Sequence, residues 1–133
     1  MSISPTQILH QPLILLDIAG GALRIANGTA VVDWSAIPPA PTGATHADLV
    51  FDIPLFGPAG GSGVSLSAIA FPAAFDVVGN PPGPKAIGWG VANTVAVWHP
   101  LPQTARLTVS LFAKTSFDQL VRVGFQVTAA FQP

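Results

Sequence analysis

The chain contains no cysteine, no tyrosine and no glutamate, and only five basic and six acidic side chains among its 133 residues. Without cysteine there are no disulfides, no thiolate metal ligands and no thiol nucleophile, and cysteine usage carries no information about compartment. Without glutamate every acid is an aspartate, a residue that favours turns and caps over helix interiors, which argues against helices. The shortage of charge says more. Soluble domains are about one-quarter charged, whereas here 8% of residues are charged and 50% are hydrophobic. Such a chain either stays wet through small uncharged residues or covers much of its outside with copies of itself. The formal net charge is −1, and the cations Arg24, Lys85, Arg106, Lys114 and Arg122 are scattered singly. Phosphate neutralisation needs a basic stripe, so nucleic acid is not an expected partner.

The length suits a single domain over residues 1–133, large enough for one core without covalent staples. Residues 1–16 carry no lysine or arginine and their apolar run, Leu13–Leu16, is short, so a signal peptide is not expected. The longest uncharged stretch, Ile53–Phe75, contains Pro54, Pro58, Pro72 and four glycines. As a helix in lipid it would leave backbone groups unpaired, so a membrane span is not expected either.

What is present is alternation with a period of two. In Thr104–Lys114, Ala105, Leu107, Val109, Leu111 and Ala113 point one way, and Arg106, Thr108, Ser110, Phe112 and Lys114 the other. In Gln119–Phe131 the odd positions from Val121 to Phe131 share an apolar face. The spacing predicts a long C-terminal antiparallel hairpin from these two segments, turning at Thr115–Asp118. Leu49–Leu55 and Val64–Ala70 alternate likewise, with a glycine-rich loop, Gly57–Gly63, between them. Ala86–Trp98 reads as one bent strand or two short ones, broken at Gly88 and Gly90. Ile8–Ile18 reads as a buried strand, followed by a hairpin of Ala22–Ala26 and Thr29–Trp34 around Asn27-Gly28, a strong hairpin signal. Prolines mark loops at Ile37–Gly43, Asn80–Pro84 and Pro100–Pro102, and a short helical turn is allowed only near Ser116–Leu120. About eight strands with close turn signals predict an all-β, antiparallel two-sheet β-sandwich or jelly roll.

Outward positions on these strands are mostly Thr, Ser and Gln, and Val32, Val50, Ile69, Phe112 and Leu120 fall on the supposed outer faces. Edge strands of monomers are usually blunted by charge or proline; here charge contributes little. A homo-oligomer, a trimer or larger ring, would cover such faces.

Chemistry is sparsely signalled. His46 and Asp48 lie two apart and would share a strand face, and His99 would supply a third metal ligand. Ser62 in Gly60-Gly61-Ser62-Gly63 lacks the strand-to-helix frame of a nucleophile elbow, and no lysine or helix follows to make the glycines a phosphate cradle. Asp48 and Asp52 read as rim charges rather than a hydrolytic pair. No cofactor is implied. Trp34, Trp89 and Trp98 each sit beside Pro, Gly or a strand end. Flat rings at a loop rim can stack on a sugar, with Asp33, Asn80, Asn93 and His99 as polar companions for hydroxyls; the same tryptophans would equally serve as core residues.

Leu49-Val-Phe-Asp-Ile-Pro-Leu-Phe56, followed by Gly63-Val-Ser-Leu-Ser-Ala-Ile69, resembles a strand pair of the H-type lectins. Gly28-Thr-Ala-Val-Val-Asp-Trp34 and Val121-Arg-Val-Gly-Phe-Gln-Val-Thr-Ala129 look like that family's opening segment and last strand. The resemblance covers less than half the chain; Asn80–Pro102 has no counterpart and Ile8–Ile18 is extra, so no binding residue is transferred. It implies a six-stranded sandwich that trimerises and binds sugars, sometimes on a phage fibre. The expected function is therefore a non-enzymatic, self-associating structural or adhesive module, including a virion or fibre component. The alternatives are a glycan-binding lectin using Trp34, Trp89, Trp98, Asp33, Asn93 and His99, and a small metal-dependent enzyme using His46, Asp48 and His99.

Overall fold

Strict alternation of buried and open positions builds strands whose dry faces must meet another layer, and the chain meets that demand by folding onto itself as two sheets. The computed structural model describes residues 2–18, 21–34, 45–57, 63–77, 89–100, 103–113 and 119–132. These form nine strands: β1 (Ser2–Ile3), β2 (Gln7–His10), β3 (Ile14–Ile18), β4 (Gly21–Asp33), β5 (Thr45–Pro54), β6 (Gly63–Val77), β7 (Trp89–His99), β8 (Thr104–Ala113) and β9 (Gln119–Gln132). One sheet has the order β1-β5-β8-β7; the other has the order β2-β4-β9-β6, with β3 also on β4. All pairings are antiparallel except β1 on β5. Successive strands from β4 to β7 alternate between the sheets, in the manner of a jelly roll. The predicted all-β sandwich is therefore observed.

The core lies between the sheets. From the first sheet it takes Leu49, Phe51, Ile53, Leu107, Val109 and Leu111; from the second it takes Ala30, Val32, Val121, Val123, Phe125, Val127 and Phe131. Phe51 and Phe125 meet across the sandwich with ring centroids 5.1 Å apart, and Trp98 meets Phe131 edge-on at 5.2 Å.

Several sequence expectations are corrected. The segments 104–114 and 119–131 do not form a hairpin: β8 pairs with β5 and β7, whereas β9 pairs with β4 and β6. Their apolar faces oppose one another across the core instead of lying side by side. The strand pair suggested by the lectin resemblance separates in the same way, β5 into one sheet and β6 into the other, and nine strands stand where six were implied. Ile8–Ile18 is two strands, parted at residues 11–13 where Pro12 offers no amide hydrogen. Ala86–Trp98 is one strand from Trp89, bent where the register slips between Val91 and Asn93; residues 86–88 lie outside the described residues. Gln119 and Leu120 open β9, and the rest of the allowed helical turn also lies outside. So do most of the proline-marked loops and residues 58–62 of the glycine-rich loop. Val32 faces the core, not the solvent.

Asn27-Gly28 is not a turn. β4 runs straight through it, paired with β9 from Ala22 opposite Phe131 to Asp33 opposite Leu120. Gly28 stands directly opposite Phe125, and a Cβ there would lie 2.7 Å from Cζ of that ring and against the carbonyl oxygen of Leu9. Close packing, not chain reversal, requires this glycine. Gly124 likewise faces Phe71, whose ring occupies the place of a Cβ. Phe71 is half exposed and free to swing outward, whereas Phe125 is locked in the core. Gly28→Ala should therefore destabilise the protein by about 1–3 kcal/mol through overpacking, and Gly124→Ala by clearly less. Urea denaturation of the two variants measures the difference, and equal losses would contradict this assignment.

Candidate functional site

The tryptophans and their polar companions do not converge. Trp34 follows the end of β4 and is 0% exposed, so its ring has no face to offer a ligand. Trp89 and Trp98 both point toward the core from β7, partly buried and packed against it. Nine residues of extended chain separate them, on the order of 30 Å. Asp33 and Trp89 lie toward one end of the sandwich, Trp98 and His99 at the other, and Asn93 between, on the outer face of β7. Asn80 and Ser62 lie outside the described residues.

The three metal candidates are parted by register. His46 pairs with Phe112 and Asp48 with Ser110 at one end of the first sheet. His99 pairs with Thr104, the partner of Pro54, at the other end. About 25 Å of strand lies between the histidines, far beyond the reach of one cation, whose ligands sit about 2 Å from it. Among the described residues no cluster of His, Asp or Glu is arranged to hold a metal ion.

The two outer faces differ sharply in chemistry. That of the first sheet is wet. Ser110 Oγ donates to Asp48 Oδ1 at 3.1 Å. Arg106 grips Asp52 with both arms, Nε to Oδ1 at 2.9 Å and Nη2 to Oδ2 at 3.1 Å. The Arg106 hydrogen bonds hold the Asp52 carboxyl below its ordinary value; slight burial opposes this, and the charges of Arg106 and His99 add to the lowering. Val95 and Val97, on the β7 edge, are its exposed large aliphatics.

The outer face of the second sheet is apolar over four successive rows and carries Arg122 and Asp33 in the rows beyond them, toward one end. Register places its side chains in rows. Leu16, Leu23, Ala130 and Ser65 form one; Ile14, Ile25, Thr128 and Ser67 form the next. Ile69, Gln126 and Asn27 follow, then Phe71, Gly124, Thr29 and Leu9. Among the described residues these rows contain no charged side chain. Leu9, Ile14, Leu16, Ile69 and Phe71 are all among the exposed large hydrophobics of the molecule. Of the five outer-face residues expected from the sequence, Ile69 is exposed here and Val50 and Phe112 are half-buried on the first sheet.

The polarity of β4 is what sequence reasoning missed. Its larger residues, Leu23 and Ile25, point outward, while Ala22, Ala26 and Arg24 point inward. Arg24 is buried and donates Nε to the carbonyl of Phe56 at 3.4 Å and Nη1 to the carbonyl of Leu23 at 3.1 Å, with Asp17 Oδ1 at 3.4 Å. Phe56 presents that carbonyl from a left-handed backbone, φ 49°. Only the register against β9 reveals this inversion; an arginine between aliphatics reads in sequence as an outward residue.

Two concavities lined by described residues flank the sandwich. One, of about 190 Å³, lies between β2 and the end of β5 and is lined by His10, Gln11, Leu13, Ala26, Ile53, Pro54 and Phe56. It falls short of the ~300–1,000 Å³ typical of small-molecule sites. The other, of about 310 Å³, is a shallow groove between β6 and β7 with Asn93 and Thr94 as its polar side chains. Neither gathers the convergent polar groups of a binding site. The chain matches no family model, no curated protein and no solved structure. Among the described residues no helix is long and apolar enough to cross a membrane.

The Asp52–Arg106 pair makes a pH prediction. Because the folded carboxyl titrates below its unfolded value, its contribution is present above the unfolded value and fades as pH falls through the folded one. Both partners are well exposed to solvent, so the contribution is small and weakens with salt. Asp52→Asn should lower the melting temperature slightly at neutral pH and leave it unchanged at acid pH, where the carboxyl is already protonated, so that the acid limb flattens. A loss confined to acid pH would contradict the assignment.

Proposed function

We propose that the protein is a non-enzymatic, self-associating β-sandwich that serves as a structural or adhesive module, with further copies of itself as its first partners. The observation that carries this reading is the outer face of the second sheet, where exposed Leu9, Ile14, Leu16, Ile69 and Phe71 share rows with no charged side chain among the described residues. Monomeric soluble proteins rarely leave so continuous an apolar sheet face in water, and larger patches of this kind mark association surfaces. The composition agrees: with five basic and six acidic side chains in the whole chain, charge does little to keep copies apart. The absence of a convergent polar pocket among the described residues favours a surface role over turnover of a small substrate.

Light scattering coupled to size exclusion tests the reading. At micromolar concentration the protein should run well above the 13.6 kDa of one chain and dissociate on dilution in a concentration-dependent way. A single 13.6 kDa species throughout that range would sink it.

A further inference from the structure

We infer that a second copy docks through the outer face of the β4–β9–β6 sheet onto the same face of its partner, about a two-fold axis parallel to the strands and midway between β4 and β9. This placement rests on the self-association proposed above and adds to it the face and the symmetry.

The inverted polarity of β4 is the first support. A strand that buries Arg24 and turns Leu23 and Ile25 outward gives up the better core choice on its inner side. That arrangement is favourable when the outer side becomes a second core. The other sheet turns Asp48, Asp52, Arg106 and Ser110 outward across its middle, groups that a dry interface would strand at a cost, whereas on the β4–β9–β6 face Arg122 and Asp33 stand at one end, beyond the uncharged rows.

The second support is the division of the face into a large half and a small half. On the β3–β4 side stand Leu16, Leu23, Ile14 and Ile25; beside them on β9 and β6 stand Ala130, Thr128, Ser65 and Ser67. A two-fold axis between β4 and β9 lays the large half of each copy over the small half of the other. Leu23 then sits above Ala130 and Leu16 above Ser65, with Ile25 above Thr128 and Ile14 above Ser67. Facing sheets pack about 10 Å apart when large and small residues interdigitate in this way. In the row of Gly124 the same operation brings Phe71 over Leu9.

The area suits a weak dimer. The four uncharged rows, from Leu23 to Thr29, are about 25 Å long, and four strands are about 19 Å wide. That footprint, on the order of 500 Å², lies below the ~800 Å² per partner of a standard stable interface and fits an association that reverses on dilution.

Light scattering on the full chain and three variants tests the placement, with near-ultraviolet circular dichroism and melting to verify folding. Wild type should give an even multiple of 13.6 kDa. Leu16→Lys places a charge on the large half, and Ser67→Trp adds bulk at an exposed position of the small half that only a docked copy would feel. Each should weaken association by at least about tenfold; should Leu16→Lys fail to fold, Ser67→Trp decides alone. Val97→Lys, at a comparably exposed site on the other sheet, should leave the mass unchanged. If Val97→Lys dissociates the assembly while the folded Leu16→Lys and Ser67→Trp do not, the face is wrong and self-association stands. An odd multiple overturns the two-fold axis, and a 13.6 kDa wild type overturns both proposals.

Discussion

The contact between the inward faces of β8 and β9 holds the two sheets together. Leu107, Val109 and Leu111 on one strand and Val121, Val123, Phe125 and Val127 on the other are all essentially inaccessible. Each such side chain contributes on the order of 1.5–3 kcal/mol when withdrawn from water. Both strands are central, with neighbours on each flank, so their backbone groups are paired on both sides while one face is wholly dry. The remaining strands are arranged around these two: β5 and β7 flank β8, and β4 and β6 flank β9. From β4 to β7, and again from β8 to β9, consecutive strands therefore lie in opposite sheets, whereas β7 and β8 are neighbours in one.

A second constraint recurs within the sheets. Three phenylalanines stand directly opposite glycines in the ladder: Phe125 opposite Gly28, Phe71 opposite Gly124 and Phe112 opposite Gly90. In each case the ring occupies the volume that a Cβ would fill. A glycine inside a strand normally costs conformational entropy and leaves a gap in the side-chain row; a ring laid over it restores the packing. One of these pairs lies in the core and two on the outer faces. The outer pairs close the gaps that glycine would otherwise leave in those faces.

How much of this was legible in the sequence follows from what alternation encodes. A period of two tells which residues share a face, so β5, β8 and β9 and the all-β class were readable directly. It does not tell which strand lies alongside. The segments 104–114 and 119–131 look like a hairpin because they are adjacent and alike, and only the three-dimensional pairing separates them. Asn27-Gly28 carries the chemistry of a turn, but opposite Phe125 a glycine is needed in mid-strand. Accepting a turn there resets the inward–outward phase, which is why Val32 reads as outward and is found buried. Arg24 misleads for a related reason: nothing local announces that the carbonyls of Phe56 and Leu23 will receive its guanidinium. The tryptophans sit at the strand ends the sequence suggested, but point toward the core or are buried in it, a direction that proximity to proline or glycine does not encode.

The borders of the two sheets carry a consequence of their own. β1 is two residues long, and the β2–β3 border is interrupted at Pro12. β6 slips register between Pro72 and Ala74, and β7 between Val91 and Asn93. Each border thus presents a short or irregular row of amide and carbonyl groups, a poor template for an incoming strand. A chain with so few ionised groups cannot rely on electrostatic repulsion to prevent sideways ribbon growth, and backbone irregularity takes over that task. Runaway stacking into cross-β filaments is thereby disfavoured by geometry, whatever the ionic strength.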